Sequence, residues 1–285
     1  MAARSRLLLV ATLAAASVST VIATRTSAAA TLLPAAAAQQ QGWAAARVNA
    51  VDAWLAASAT TITIAVVDTG VDQSQPDLAG KLVAGYDATT GGASTSDAAW
   101  HGTAVASIAA GAAESTLGVV SYCRQCSVMP IRALDASGRG SDPTIARGLR
   151  WAVDHGARVV NLSLDGPSDD PALPAAIRYA SRNGVVVVAA AGNEGSSAPA
   201  YPAAEPLAIG VAATDQNDRL YPWSNRGRWV TIAAPGVNLS AVPGGGVFPF
   251  MGTSSAAALI SGVAGLCLSA APSLTPVEPR YLTPV

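Results

Sequence analysis

Short runs of apolar, often β-branched residues recur along the chain between longer segments whose apolar residues repeat at helical spacing. The short runs are typical of buried strands, and the longer repeats are typical of helices. The pattern predicts strands at 62–67, 128–134, 159–164, 185–191, 207–212 and 230–234. It predicts helices at 43–54, 101–110, 144–155, 171–183 and 254–268.

Strands and helices follow one another through the middle of the chain, and the strands are almost continuously apolar. A strand without polar alternation is buried on both faces, as in a parallel sheet covered by helices. We therefore expect an α/β fold with a mostly parallel central sheet and helices on both faces. In such sheets the functional residues collect at the carboxyl ends of the strands. Asp68 and the turn after Ala191 would emerge at this edge.

The N-terminus has a composition of its own. Arg4 and Arg6 precede an apolar stretch from Leu7 to Ala23, and small residues follow it. This is the pattern of a secretory signal peptide cleaved near residue 23 or residue 30, so we expect residues 1–30 to be a signal and the mature protein to be extracellular. A single membrane anchor is the alternative, although the stretch is barely long enough for one.

The overall composition is that of one globular domain. The chain has 285 residues, of which 51% are hydrophobic, and its net charge is -1, so it is long enough to bury a substantial core. Charged residues make up only 12% of the chain and form no basic cluster, which excludes a nucleic-acid partner.

We expect a linker at 31–41, a monomeric domain at 42–270 without membrane contact after signal removal, and a short tail at 271–285. The shortness of that tail indicates either a compact or a truncated domain.

Three cysteines are compatible with export. Cys123 and Cys126 are close enough in sequence to close a short disulfide loop, and the sequence leaves open whether they are oxidised. Cys267 lies within an apolar run, which predicts a buried free thiol.

Two histidines occur in the chain, and their surroundings differ. His155 precedes Gly156 at the predicted end of a helix, where the helix dipole favours a cation and a structural role. His101 opens a small-residue helix in the run His101-Gly102-Thr103. An imidazole that titrates near neutral pH is well suited to act as a general base, so His101 is the catalytic candidate.

Asp68, His101 and Ser254 follow one another in the order that one kind of serine-protease triad requires. Asp68 follows a buried strand, so its carboxylate would hold a histidine. Ser254 begins a predicted helix, where unpaired backbone N–H groups and the helix dipole favour an oxyanion. Ser255 is adjacent, and the pattern alone does not distinguish the two serines. Asn193, in the turn after a strand, would supply a second oxyanion donor.

At these residues the chain resembles the subtilisin family of serine proteases, and within it the thermitase-like extracellular bacterial branch. Asp68-Thr69-Gly70, His101-Gly102-Thr103 and Gly252-Thr253-Ser254 match the three triad motifs of the family, and Ala190-Ala191-Gly192-Asn193 matches its oxyanion motif. The resemblance extends from about residue 42 to about residue 276. It implies a subtilisin-like three-layer fold and a secreted serine endopeptidase that acts through an acyl-enzyme.

The resemblance also implies the role of each site residue. Ser254 is the nucleophile, His101 the general base and then acid, Asp68 the group that orients the imidazole, and Asn193 the oxyanion donor. The substrates are polypeptides, and the chemistry requires no cofactor. The small walls of the pocket predict a large apolar or aromatic residue before the cut. The positions that correspond to substrate-binding segments of the family are Ser163, Leu164, Gly166, Ala190, Gly192 and Ala200.

A structural calcium ion is an open question at this stage. Asp77 matches a position that ligates calcium in relatives, but the loop at 111–118 offers few oxygen atoms, whereas calcium takes about 6–8 oxygen ligands.

Two departures from the family pattern bear on activity. Ser255 stands in place of a methionine, and Asp165 stands where the substrate-binding strand has a glycine. These two departures and the short C-terminus support an alternative to an active protease, namely a catalytically impaired pseudoprotease that binds peptides. An aspartic protease also uses Asp-Thr-Gly, but it needs a second such motif, which the chain lacks.

Overall fold

The structure is a computed structural model that describes residues 9–10, 42–56, 60–113, 115, 118–167 and 170–274. The predicted signal lies outside the described residues except for the pair at 9–10, and the predicted linker lies wholly outside them. The helices are α1 (42–47), α2 (Ala50–Ala56), α3 (His101–Ala110), α4 (Asp142–Asp154), α5 (Ala172–Arg182) and α6 (Thr253–Ala270), and Pro76–Leu78 forms a 3₁₀ turn. The strands are β1 (Leu9–Val10), β2 (Thr63–Asp68), β3 (Tyr86–Asp87), β4 (Ser127–Arg132), β5 (Arg139–Gly140), β6 (Val159–Leu162), β7 (Val186–Ala190), β8 (Ala208–Thr214), β9 (Ile232–Pro235), β10 (Val237–Val242) and β11 (Gly246–Met251).

Seven of these strands form the central sheet in the order β3-β4-β2-β6-β7-β8-β9. All neighbouring pairs in this sheet are parallel, so the predicted α/β fold class is confirmed. Two small antiparallel pairs, β1 with β5 and β10 with β11, were not predicted. In the β10–β11 hairpin most of β11 is exposed or half-buried, and Pro249 within its apolar run is atypical of a strand interior.

Each face of the sheet has its own apolar core, because successive strand residues point to opposite faces. In β2, Ile64 and Val66 belong to the core that contains α3 and α6. Ala65 and Val67 belong to the core that contains α4 and α5. All four are fully buried, and burial of each Val or Ile side chain contributes about 1.5–3 kcal/mol. The sheet is therefore held rigidly from both sides.

One helix prediction needs correction. The single helix predicted at 43–54 is two short helices, α1 and α2, separated by a turn at 48–49. Asn49 has a φ of 49° in this turn. A left-handed residue ends an α-helix, and asparagine tolerates that conformation better than most residues.

Helix α6 is the central helix of one core. By length and mean hydropathy, 1.5, it could cross a membrane, but 72% of it is buried inside the domain, as expected for a core helix. Cys123 and Cys126 form a disulfide, which answers the question that the sequence left open. Cys267 has a free thiol, but it is exposed, so the prediction of a buried thiol is wrong. Cys267 and Ala270, three residues apart, are both exposed on α6.

Candidate active site

Asp68 and His101 form a buried pair at the carboxyl edge of the sheet. Asp68 is the last residue of β2, and His101 is the first residue of α3. The imidazole Nδ1 lies 2.8 Å from Asp68 Oδ1 and 2.9 Å from Oδ2. The two side chains are 0% and 2% exposed. Asp68 Oδ1 also accepts a hydrogen bond of 2.7 Å from the Thr69 N–H, so the carboxylate is fixed from two sides.

The surroundings favour the protonated form of His101. Burial by itself lowers the pKa of His101, but the charge of Asp68, the hydrogen bond to Asp68 and the charge of Asp97 raise it, and the pKa lies above its ordinary value of 6.5. A base held in this way is stabilised once it has accepted a proton, and its Nδ1 is fixed toward the carboxylate. The Nε2 atom is then the one directed away from Asp68.

Ser254 lies in the first turn of α6, directly after Gly252 and Thr253. Its hydroxyl donates a long hydrogen bond of 3.4 Å to the Ser163 carbonyl, and the Ser163 hydroxyl donates one of 3.2 Å to the Ser254 carbonyl. Within the described part of the chain, the Ser254 hydroxyl has no hydrogen bond to His101. The structure thus places Ser254 beside the end of β6, with its hydroxyl directed at that strand.

The neighbouring serine has a different environment. Ser255 is fully buried, whereas Ser254 is 6% exposed. The Ser255 hydroxyl accepts a hydrogen bond of 2.9 Å from Asn238 Nδ2, and Asn238 Oδ1 accepts one of 3.0 Å from the Tyr122 hydroxyl. Ser255 is therefore part of a buried polar chain, and of the two serines only Ser254 reaches the surface.

Asn193 is held against the start of α6. Its Oδ1 accepts hydrogen bonds from the backbone N–H and the hydroxyl of Thr253, at 2.9 and 3.1 Å. The Thr253 hydroxyl in turn accepts one of 3.0 Å from the Gly192 N–H. Because Oδ1 faces Thr253, the amide Nδ2 lies on the opposite side of the side chain. Thr253 is a positioning residue that the sequence motifs contain but that carried no predicted role.

The substrate-binding candidates surround the ends of β6 and β7. Ser163 and Leu164 follow β6, and the Leu164 side chain belongs to the core, so only its backbone is available. Gly166 exchanges two backbone hydrogen bonds of 2.9 Å with Tyr201. Ala190 is buried at the end of β7, and Ala200 is half-buried.

Two carboxylates lie near Gly192, which has a φ of 98°. A side chain at this position would bring its Cβ within 2.9 Å of Asp165 Oδ2, 2.8 Å of Glu194 Oε2 and 2.4 Å of Asn225 Nδ2. Both the left-handed backbone and the close neighbours therefore require glycine. Asp165 is 7% exposed, so its carboxylate is part of the wall rather than of the surface.

Asp77 lies apart from the active site, beside the loop at 111–118, of which residues 114, 116 and 117 lie outside the described part of the chain. Its carboxylate is 2% exposed, and its Oδ2 accepts a hydrogen bond of 2.8 Å from the Ser115 hydroxyl. Burial raises the pKa of Asp77, against the effect of that hydrogen bond. Among the residues whose positions are described, no three His, Cys, Asp or Glu side chains come together as a metal site. Calcium takes about 6–8 oxygen atoms, and the described residues do not assemble such a set around Asp77; no step below uses calcium.

His155 lies outside the site. It caps the end of α4, where its Nδ1 is 2.8 Å from the Trp151 carbonyl and its ring stacks on Trp151 at 3.7 Å. The predicted structural role agrees with this position.

Asp97 was not a candidate from the sequence, although its charge acts on His101. Its place shortly before a predicted helix was the available signal, because Asp is a frequent helix cap.

Comparisons with known proteins agree with this geometry. Residues 59–283 match the model of the subtilase family of peptidases. Thermitase of Thermoactinomyces vulgaris is 40% identical over 224 residues, which cover 78% of this chain and 80% of thermitase. The thermophilic serine proteinase of Bacillus sp. strain AK1 is 42% identical over 207 residues, which are 72% of this chain and 52% of that protein, so this chain spans about half of that relative.

A solved structure shows the same fold. The crystal structure of a cold adapted subtilisin-like serine proteinase superposes with a TM-score of 0.71 at 32% sequence identity, over 78% of this chain and 81% of that one. The shared fold, the extent of the family match and the identity to thermitase lead to one conclusion. The chain belongs to the subtilase family of serine endopeptidases.

Proposed function

We propose that this chain is a secreted endopeptidase that cleaves polypeptides through an acyl-enzyme formed on Ser254. The observation that carries the proposal is the buried pair of Asp68 and His101, with 2.8 Å between Oδ1 and Nδ1. A serine hydroxyl is a weak nucleophile and needs a base whose tautomer is fixed. In this site the carboxylate of Asp68 would fix that tautomer and leave Nε2 to take the proton.

The reaction then follows from the positions of the side chains. The Ser254 hydroxyl turns from the Ser163 carbonyl toward the imidazole, gives its proton to His101 and attacks the carbonyl carbon of the substrate. Asn193 Nδ2 and the Ser254 backbone N–H stabilise the oxyanion that forms. His101 next protonates the leaving amine, and the acyl-enzyme is hydrolysed by a water molecule that His101 deprotonates. These steps need no metal ion or cofactor.

The pocket before the cut would take a large apolar or aromatic side chain. Its proposed walls are alanines and glycine, among them Ala190, Gly192 and Ala200, which leave space for such a group. The carboxylates of Asp165 and Glu194 lie on the Gly192 side of the same wall. A panel of peptides that differ only in the residue before the cut tests the proposal, and we expect Phe and Leu to be cleaved best. A preference for Arg or Lys would contradict it.

Secretion is part of the proposal and is supported by the Arg-led apolar N-terminus. Expression of the whole chain in a bacterial host, followed by N-terminal sequencing of the protein in the medium, tests it. We expect a start near residue 24 or residue 31. A product that stays in the cell membrane would indicate an anchor instead.

Hydrolysis of casein by the purified chain tests the activity itself. We expect Ser254→Ala to abolish hydrolysis, and Ser255→Ala to retain most of it, because Ser255 is fully buried. The Ser255 variant controls for the loss of a serine hydroxyl at the start of the same helix. Peptide binding without hydrolysis by the unmodified chain, or equal activity of Ser254→Ala, would contradict the proposal.

A further inference from the structure

Asp97 joins two segments that the proposed chemistry needs in register. The residue precedes α3 and lies outside the matched motifs. Its Oδ1 accepts hydrogen bonds from the Thr69 hydroxyl, at 2.7 Å, and the Ala99 N–H, at 2.9 Å. Its Oδ2 accepts hydrogen bonds from the N–H and the hydroxyl of Thr103, at 2.9 and 2.5 Å. The half-buried carboxylate is thus the common acceptor of the segment after β2 and the first turn of α3.

One of these threonines, Thr69, connects this carboxylate to the pair of Asp68 and His101. The Thr69 N–H donates to Asp68 Oδ1 at 2.7 Å, and the Thr69 hydroxyl accepts from the Gly102 N–H at 3.1 Å. Gly102 directly follows His101 in the chain. A displacement of Thr69 would therefore move both the acceptor and the backbone that carries the imidazole.

Asp97 also provides the N-terminal cap that α3 would otherwise lack. The residue at the N-cap position, Trp100, makes no side-chain capping hydrogen bond. Asp97 accepts the N–H of Thr103 in the first helical turn instead. A carboxylate at this end of a helix interacts favourably with the unpaired N–H groups and the helix dipole, so the contact between Asp97 and the first turn stabilises the start of α3.

The groups that face His101 differ in charge. The charge of Asp68, at the end of β2, and the charge of Asp97, in the segment before α3, both interact with the His101 ring. The other ring contacts are apolar and aromatic, to Trp100 at 5.6 Å and to Phe250 of β11 at 5.2 Å. An imidazolium at this position therefore meets two negative charges, and in a buried site an opposite charge is weakly screened.

We propose that Asp97 is a positioning residue of the peptidase reaction, which holds the segments of Asp68 and His101 in register and supplies a second negative charge to the imidazolium. The inference rests on the proposed function, because it assigns a role in the proton transfer by His101. Asp97 itself touches neither the substrate nor the reacting atoms in this account.

The Asp97→Asn variant tests the proposal, since it keeps the shape of the side chain, removes its charge and replaces one of its two acceptor oxygens by an NH₂ group that cannot accept. The chain contains only two histidines, so NMR titration of ¹⁵N-labelled histidine in a Ser254→Ala background reports on both without self-digestion. We expect His101 to titrate at lower pH in Asp97→Asn, and His155, stacked on Trp151 elsewhere, to be unmoved. An additional His155→Gln variant assigns the two signals.

Kinetics of Asp97→Asn in the otherwise unmodified chain give the second readout. We expect kcat to fall by about tenfold with little change in KM, because the loss concerns proton transfer rather than substrate binding. The acidic limb of kcat/KM should move to lower pH in step with the NMR titration. Asp97→Glu keeps the charge but displaces it from the threonines, so it should lower kcat while His101 titrates close to its normal position.

A matched control is Asp215→Asn. Asp215 accepts the backbone N–H groups of Asn217 and Arg219, at 2.8 and 3.0 Å, in an exposed turn, and we expect no effect on either histidine. An unmoved His101 titration in folded Asp97→Asn would overturn the proposal. If Asp97→Asn does not fold, unchanged kcat in Asp97→Glu would overturn it. Hydrolysis by Ser254→Ala would instead refute the proposed function and leave the titration of His101 as a separate result.

Discussion

At the scale of single residues, the site depends on buried polar groups that hydrogen-bond to one another. Asp68 is 0% exposed, and its charge is tolerated because His101 and the Thr69 N–H both bind it. Removing one member of a buried charged pair leaves the other uncompensated, at a cost of about 3–5 kcal/mol. His101→Ala should therefore lower stability as well as activity.

The raised pKa of His101 makes a prediction about pH. His101 must be neutral to accept the serine proton, so kcat/KM should fall as the pH drops through its folded-state pKa, which lies above 6.5. The folded protein binds that proton more tightly than the unfolded chain does. The resulting stabilisation is full below pH 6.5 and is lost as the pH rises through the folded-state pKa.

A pH series of kcat/KM on one neutral peptide checks the first part. An acidic limb centred clearly below pH 6.5 would contradict the assignment of His101 as the base. Thermal unfolding of Ser254→Ala against pH checks the second part.

Loss of the proposed oxyanion donor should affect turnover far more than binding. For Asn193→Ala we expect kcat to fall by about 10²–10³-fold with little change in KM; this magnitude is the known effect of the corresponding donor in subtilisin, a relative. Asn183→Ala is the matched control, because Asn183 caps the exposed end of α5. Steady-state kinetics decide the outcome, and equal losses in the two variants would contradict the role of Asn193.

The sequence predicted the residues of the matched motifs but not their supports. Asp68 and His101 could be paired because each has a recognisable place at the end of a strand or the start of a helix. Asp97 and Thr253 act through hydrogen bonds to residues 28 and 60 positions away. Such contacts depend on the folded arrangement of loops, which no local pattern specifies.

At the scale of elements, the site depends on the close approach of α6 to α3. Gly262 in α6 lies so near this helix and the following loop that an added Cβ would be 2.6 Å from the Ala109 carbonyl oxygen and 2.7 Å from the Tyr122 Cβ. Both helices begin at the carboxyl edge of the sheet, α3 with His101 and α6 with the motif that contains Ser254. The spacing of the two helices therefore sets the distance between the base, His101, and the nucleophile, Ser254.

Gly262→Ala should disturb that spacing. An overpacked core residue typically costs about 1–3 kcal/mol, and we expect a loss of stability in this range together with reduced kcat. Gly42→Ala is the control, because its Cβ would meet nothing within 4 Å. Chemical denaturation measures both variants. A Gly262→Ala protein as stable as the control would show that the helices are not in such close contact.

Elements with a strongly periodic or continuous pattern of apolar residues were predicted best. Buried strands and the amphipathic helices α4 and α5 were placed within two residues of their observed ends. The β10–β11 hairpin was missed because Asn238 and Ser240 interrupt the apolar residues of β10, and Pro249 interrupts β11. The break between α1 and α2 was missed because one left-handed asparagine, Asn49, interrupts an otherwise helical pattern.

At the scale of the whole molecule, the parallel sheet explains why distant motifs meet. The strands that precede Asp68, Ser163 and Asn193 are neighbours in the sheet, in the order β2, β6 and β7. All three run in the same direction, so their carboxyl ends share one edge. This much could be predicted from the alternation of strands and helices, whereas the direction of the Ser254 hydroxyl could not.

The surroundings of Asp77 make a prediction about calcium for the whole domain. Its carboxylate is already bound by the Ser115 hydroxyl, so we expect the unfolding temperature of Ser254→Ala to be the same in calcium and in EDTA. Free calcium at about 100 times the Kd of a site would stabilise the folded protein by about 2.7 kcal/mol, or several degrees of unfolding temperature. A higher unfolding temperature in calcium than in EDTA, lost in Asp77→Asn, would contradict the prediction.

The central claim is that Ser254 becomes a nucleophile when His101 removes its proton. The most direct measurement is reaction of the folded chain with a serine-directed phosphonate, followed by mass spectrometry of its peptides. The account predicts one adduct, on Ser254, whose formation slows in His101→Ala and is absent in Ser254→Ala, while Ser255→Ala reacts normally. A folded chain that forms no adduct, or forms it on Ser255 or another residue, would contradict the account.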